Sequence, residues 1–241
     1  MTTPQYQEHP ICWTRELSSR FWDFYSRKPT LTYFSAEVSN GIINNVLRNG
    51  VPLRGKVLDF GCGRGDLLQN LTNRRIACEG ADFSPESARE VERKLRGNPY
   101  FRGVTIIDGI PTQLPGNSVD VLFCIETVEH ILDDELLPSM QEIHRLLRSG
   151  GYLIVTTPND EDLDKNKILC PECGCIYHTV QHVRSWSKDS LEAYLSPLGF
   201  KTIYCGATVF DNSRTWSLLL RIAFHLRHRT LPHLIYIGQK I

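Results

Sequence analysis

A chain of 241 residues is long enough to bury one sizeable core and short for two. Its 41% apolar and 22% charged residues exclude the disordered and fibrous classes, and 27 basic against 27 acidic side chains leave no net field to draw in a polyanion. No nucleic-acid partner is therefore expected, and with neither a basic-then-apolar leader nor a run of ~18 apolar residues the chain reads as cytoplasmic, without a transmembrane segment.

Residues 1–50 are rich in aromatics (Tyr6, Trp13, Phe21, Trp22, Phe24, Tyr25, Tyr33, Phe34) and precede the first strand, so they read as a helical cap. Val38, Ile42, Ile43, Val46 and Leu47 recur at three- and four-residue steps and stop at Gly50, the pattern of an amphipathic helix with its terminator. From Lys56 onward, within 51–241, short apolar runs alternate with helical patterns, which predicts an α/β fold, a parallel sheet covered on both faces. Predicted strands are Val57 to Phe60, Cys78 to Ala81, Val104 to Ile107, Val119 to Cys124 and Tyr152 to Thr156, closed by Lys201 to Gly206 and Leu234 to Lys240. Between them, Ser84-Pro85 starts a helix striped by Ala88, Val91 and Leu95. A second helix carries Leu136, Met140, Ile143 and Leu147 and ends at Gly150-Gly151, and a third runs from a Ser187 cap through Leu191, Tyr194, Leu195 and Leu198 to Gly199. Two segments break the alternation. Residues 159–187 hold a cysteine and histidine cluster. Residues 208–232 interleave Leu218, Leu219, Leu220, Ile222 and Phe224 with Arg221, Arg227 and Arg229, which suits a core-packed helix, a lid, a dimer face or a peripheral membrane contact.

Val57-Leu58-Asp59-Phe60-Gly61-Cys62-Gly63-Arg64-Gly65 is a buried strand entering a glycine turn, and Asp66 opens the next helix. Glycines let a ligand approach main chain, and the helix amino terminus offers unpaired N–H groups. Asp82, at the end of the following strand, is placed to take two ribose hydroxyls, so the pair suggests an adenosine-type ligand. The dinucleotide fingerprint needs a third glycine where Asp66 stands, which argues against NAD.

The pattern D-x-G-x-G-x-G resembles the first motif of class I S-adenosylmethionine-dependent methyltransferases. Ala81-Asp82-Phe83-Ser84-Pro85-Glu86, Leu114-Pro115-Gly116-Asn117-Ser118-Val119-Asp120-Val121 and Leu146-Leu147-Arg148-Ser149-Gly150-Gly151-Tyr152-Leu153 resemble that family's later motifs in order, and the resemblance runs from about Val57 to Phe200. It implies a Rossmann-like seven-stranded sheet, mostly parallel with its last strand antiparallel, and S-adenosyl-L-methionine as cofactor. It also implies that Gly61, Gly63 and Gly65 cradle the methionine part, Asp59 orders the loop and the ligand amine, Asp82 holds the ribose with Phe83 beside it, and Asp108 or Ile110 faces the adenine.

Methyl transfer is an in-line displacement from an activated sulfonium, so positioning dominates, and a hydroxyl acceptor must also lose a proton. His130 is the candidate base, with Glu126 and Glu129 in an i, i+3, i+4 pattern that would converge on one helix face. The bland alternative is Glu129 as a helix cap with His130 packed beside it. Glu126-Thr127-Val128-Glu129-His130 is also similar to a segment of quinone-pathway O-methyltransferases, which place a divalent metal there. Downstream, Cys170, Cys173, His178 and His182 follow C-x2-C-x4-H-x3-H, four ligands suited to a structural zinc, with Cys175 a spare; alternatively His182 faces substrate. The expected acceptor is a small molecule or a saccharide, methylated at oxygen. The rivals are a macromolecule methyltransferase and a noncatalytic S-adenosylmethionine-binding module.

Overall fold

The computed structural model describes residues 7–28, 34–210 and 231–241. The elements, in chain order, are β1 His9–Pro10, α1 Arg15–Ser26, α2 Phe34–Arg48, β2 Val57–Phe60, α3 Asp66–Asn73, β3 Cys78–Asp82, α4 Pro85–Leu95, β4 Phe101–Ile106, β5 Val119–Ile125 and α5 Asp133–Leu146. They continue with β6 Leu147–Pro158, β7 Lys167–Leu169, β8 Cys175–His178, α6 Lys188–Leu195, β9 Phe200–Thr208 and β10 His233–Lys240.

Seven strands form one sheet in the order β4-β3-β2-β5-β6-β10-β9, parallel except for β10, which runs antiparallel to both neighbours. This is the expected Rossmann-like methyltransferase sheet with its last strand reversed. Strand alternation divides the core in two. Leu58, Leu153, Val155, Leu234 and Tyr236 face α5 and α6, whereas Val57, Ile154, Ile235 and Ile237 face α2, α3 and α4. Ser84 caps α4 by accepting from Ser87 N, and Ser187 caps α6 in the same manner, as their sequences predict.

Several elements differ from expectation. β4 begins at Phe101 rather than Val104, because Phe101 N donates to Asn98 O and that turn delivers the chain to the sheet edge early. α5 ends at Leu146, not at the Gly150-Gly151 pair, because Leu147 is drawn into register with Val119 and Ser118 N donates to Leu146 O. Segment 159–187 contains structure that periodicity did not show: β7 and β8 form a hairpin, and β1 adds in parallel to β8, making a separate three-stranded sheet. Cys170 N donates to Cys175 O and Gly174 N to Cys170 O, so backbone pairing closes the cysteine loop. The amphipathic run Leu218 to Arg229 lies outside the described residues. Among the described residues no helix is long and apolar enough to cross a membrane.

Candidate active site

The glycine turn leaves β2 at the carboxyl end of the sheet. Gly61 has φ 80°, and a Cβ there would stand 2.7 Å from Thr127 Oγ1, so both conformation and space exclude a side chain. Gly61 N donates to Ala81 O, and Gly63 N donates to Asp82 Oδ2 at 2.8 Å while Ser84 N donates to Asp82 Oδ1 at 2.9 Å. Asp82 therefore ties the loop to the β3 end through one lone pair on each oxygen, and a carboxylate has further lone pairs for two ribose hydroxyls. Burial pushes its carboxyl up to about 6 against the pull of those two amides.

Asp59 is buried deeper. Its Oδ1 has no hydrogen-bond partner among the described residues, and burial, with Asp82 and Asp66 nearby, pushes the carboxyl up to about 8. A lone buried acceptor in an acidic loop calls for a cationic donor, and the ammonium of a methionine moiety is such a group. Phe83 stands partly exposed beside Asp82, and Asp108 and Ile110 are exposed after β4, where Arg15 donates to the Asp108 carbonyl at 3.2 Å.

The second half of the site lies beyond β5. Glu126 adopts φ 46°, and Thr127 to His130 form a turn closed by His130 N donating to Thr127 O, so Glu126, Glu129 and His130 gather through a left-handed residue and a turn, not on a helix face. α5 starts only at Asp133 without a side-chain cap, so Glu129 is not its cap. Burial pushes Glu126 up to about 8, and pushes Glu129 well above the carboxylate range with Glu126 adding to it. Among the described residues, Glu126 Oε1 and both Glu129 oxygens reach no partner at hydrogen-bond geometry. Burial, then the His182 ring, push His130 down to about 3, so it is a neutral imidazole, its Nε2 3.8 Å from Glu129 Oε1 and its Nδ1 3.3 Å from the Gln181 carbonyl.

Residues 178–184 hold this turn in place. Val183 N donates to Glu129 O, Arg184 Nη1 to Val128 O at 2.7 Å and Gln181 Nε2 to His130 O at 3.0 Å. Gln181, fully buried at φ 59°, also accepts from Trp22 Nε1 at 2.7 Å, and the Trp22 ring packs edge-on to His130 with centroids 4.8 Å apart. At its far end α1 reaches the cofactor loop: Ser84 Oγ donates to Asp23 at 2.9 Å, and Arg64 donates to the Lys28 carbonyl just beyond the helix. α1 thus spans both halves of the site. Gln181 and Glu161 carry no sequence signal, whereas Trp22 stood among the amino-terminal aromatics.

The four expected zinc ligands are not brought together as one group. Among the described residues, metal-competent sets of three or more with ligand atoms within 4.8 Å of one another are Glu129/His130/His182 and Glu161/His178/His182, and neither includes a cysteine. Cys170 and Cys173 stay in the hairpin loop, Cys173 exposed, where hydrogen bonds from the loop's own backbone hold the Cys170 thiol below its usual value.

A family model described as a methyltransferase domain matches residues 34–204, well over half of the chain, and the chain belongs to that family. Its fold is shared with S-adenosylmethionine-dependent methyltransferases of known structure. The ubiquinone biosynthesis O-methyltransferase of Nitrosomonas europaea is 31% identical over 106 residues, 43% of each chain, and that of Chromobacterium violaceum is 25% identical over 146 residues, 60% of each. The chain therefore spans between two fifths and three fifths of the length of these relatives. A tRNA(Thr) (cytosine(32)-N(3))-methyltransferase of Saccharomyces cerevisiae is 23% identical over 174 residues, 64% of this chain and 27% of that protein. The fold is similar to a methyltransferase solved in complex with the Haloferax volcanii Trm112 methyltransferase activator, with TM-score 0.67 and 17% identity over 91% of this chain and 97% of that one.

Proposed function

We propose that this protein transfers the methyl group of S-adenosylmethionine to a hydroxyl of a small acceptor, with residues 51–241 carrying the cofactor and the helices before them covering the acceptor. The observation that carries this reading is the corner after β5, where the His130 ring packs edge-on to Trp22 beside the buried Glu129, whose oxygens have no hydrogen-bond partner among the described residues. Asp59, Gly61, Gly63, Gly65 and Asp82 bind and orient the cofactor, with Phe83, Asp108 and Ile110 around its nucleoside end. Aromatic walls from α1 exclude water and suit a flat or apolar acceptor over a bulky polyanion, and the similarity to ubiquinone biosynthesis O-methyltransferases supports the same acceptor class.

The test is methyl transfer from labelled S-adenosylmethionine to a panel of phenols, catechols and sugars. His130→Ala is expected to lower turnover by roughly 10² to 10⁴ with cofactor affinity nearly unchanged. Full turnover in that variant, or no methylation across the panel, counts against the reading. A second reading, a macromolecular acceptor, draws on the similarity to the tRNA methyltransferase; it requires binding of RNA that weakens steeply with salt.

A further inference from the structure

The hairpin of β7 and β8, with β1 added to it, is a sheet with little core of its own. β1 and β7 are exposed throughout, Ile168 and Leu169 included, and only His178 of β8 is buried. Three strands this short, without a hydrophobic face, are not held by backbone bonds alone and need a further tie.

The cysteine end of the sheet offers one. Cys170 N donates to Cys175 O, which continues the β7 to β8 register by one pair, and His9 is paired with Cys175 from the other side. Cross-strand partners point to the same face with Cβ atoms about 5 Å apart, so His9, Cys175 and Cys170 stand in one row across the three strands. Cys173 joins them from the loop. Its backbone N–H, that of Glu172 and the Cys173 thiol all lie against the Cys170 sulfur, the kind of outer partners that orient a metal-bound thiolate. The Cys175 thiol lies within electrostatic reach of both other cysteines. His9 Nδ1 faces the Pro10 carbonyl at 3.3 Å, which puts the proton there and the lone pair on Nε2.

His178 and His182, which ligand spacing groups with Cys170 and Cys173, are committed elsewhere. His178 Nδ1 accepts from His182 N at 3.2 Å, its Nε2 lies 3.3 Å from Glu161 Oε1, and His182 Nδ1 lies against Glu161 Oε2.

We propose that Cys170, Cys173, Cys175 and His9 bind one structural zinc ion, a site of three thiolates and one imidazole that staples β1 to the β7 and β8 hairpin. The four groups share a face without yet converging, and rotation of the exposed Cys173 and His9 side chains brings them onto the ion. Only Ile11 to Thr14 separate β1 from α1, so the ion anchors the leading end of the helix that spans both halves of the site. None of the four ligands belongs to the cofactor loop or to the corner after β5, and the site stands apart from the methyl-transfer reading.

Protein carrying no histidine tag, loaded with zinc and desalted, tests the proposal by elemental analysis and, after exchange into Co2+, by thiolate-to-metal absorption. One ion per chain is expected, with affinity weakened at least roughly 100-fold in Cys173→Ser, Cys175→Ser and His9→Ala, and unchanged in Cys12→Ser and His178→Ala. Chelation should accelerate amide exchange at His9–Pro10 and along Arg15–Ser26. S-adenosylmethionine affinity, measured alongside, should hold in every variant and shows that each is folded. No metal uptake up to about 1 mM, full affinity in Cys175→Ser or His9→Ala, or loss of the metal in His178→Ala with S-adenosylmethionine affinity intact overturns the site. Amide exchange that chelation leaves unchanged overturns its role as a staple.

Discussion

Asp82 does two jobs with one carboxylate. Its backbone bonds to Gly63 and Ser84 shape the glycine turn, and each of its oxygens keeps a further lone pair for the proposed ribose contact. Hydrogen bonds to a charged group are worth about 1.5 to 3 kcal/mol each, so Asp82→Ala should weaken S-adenosylmethionine binding at least roughly tenfold, read by calorimetry. Unchanged affinity would remove Asp82 from the cofactor site. Asp59→Asn should behave differently with pH. A carboxyl raised to about 8 in the folded chain keeps its proton where the unfolded chain, with an ordinary value of ~3.9, has lost it. The native charge is thus disfavoured, and Asp59 costs stability increasingly as pH rises through that window, levelling off above about 8. Without cofactor, Asp59→Asn should gain on wild type between about pH 5 and pH 8, by on the order of 1 to 3 kcal/mol in urea unfolding, and equal differences at both ends would refute the charge argument.

At the level of elements, α1 is held to the rest of the site by a few polar contacts at its inner face. Thr14 caps the helix by accepting from Leu17 N, but only Ser18 on it is fully buried, so it has little core of its own. The Trp22 to Gln181 bond joins α1 to the segment that braces His130, and Tyr25 donates to Thr179 O beside it. Trp22→Phe keeps an aromatic ring and removes the donor, leaving the buried Gln181 side-chain oxygen Oε1 without it at a cost of about 1 to 3 kcal/mol. Amide exchange across Arg15–Ser26 should accelerate and the acceptor KM should rise, with cofactor affinity close to wild type. Slow exchange and an unchanged KM would mean that α1 is held by packing alone.

Over the whole molecule, the proposed cofactor and acceptor functions divide along the sheet. The cofactor groups come from consecutive units, β2 into its glycine turn and β3 into Asp82, and each is a local pattern in which a buried run ends in residues that a strand-to-helix turn requires. The same locality made the two core faces legible, because Leu234 and Tyr236 against Ile235 and Ile237 follow from strand alternation alone. The proposed acceptor half is assembled from α1, the turn after β5 and residues 178–184, which are distant in sequence: His130 meets Gln181 across 51 positions, and Trp22 meets Gln181 across 159.

The sequence by itself determined the alternating order of strands and helices, the glycine turn and its two aspartates, because burial periodicity and backbone conformation are set by neighbouring residues. It also brought Glu126, Glu129 and His130 forward as a group, though it assigned them to a helix face, since nothing in the local composition announces a left-handed glutamate. Only the tertiary structure decided the partners of His178 and His182. Spacing placed them with Cys170 and Cys173, but pairing of β7 with β8 and of β1 with β8 orders that segment through its backbone, and the bonds from Val183 and Gln181 to the Glu129 and His130 carbonyls turn His182 inward. Ligand spacing counts residues along one chain, whereas the choice between a cysteine and a distant glutamate is made by hydrogen bonds that exist only once the sheet and the turn have met.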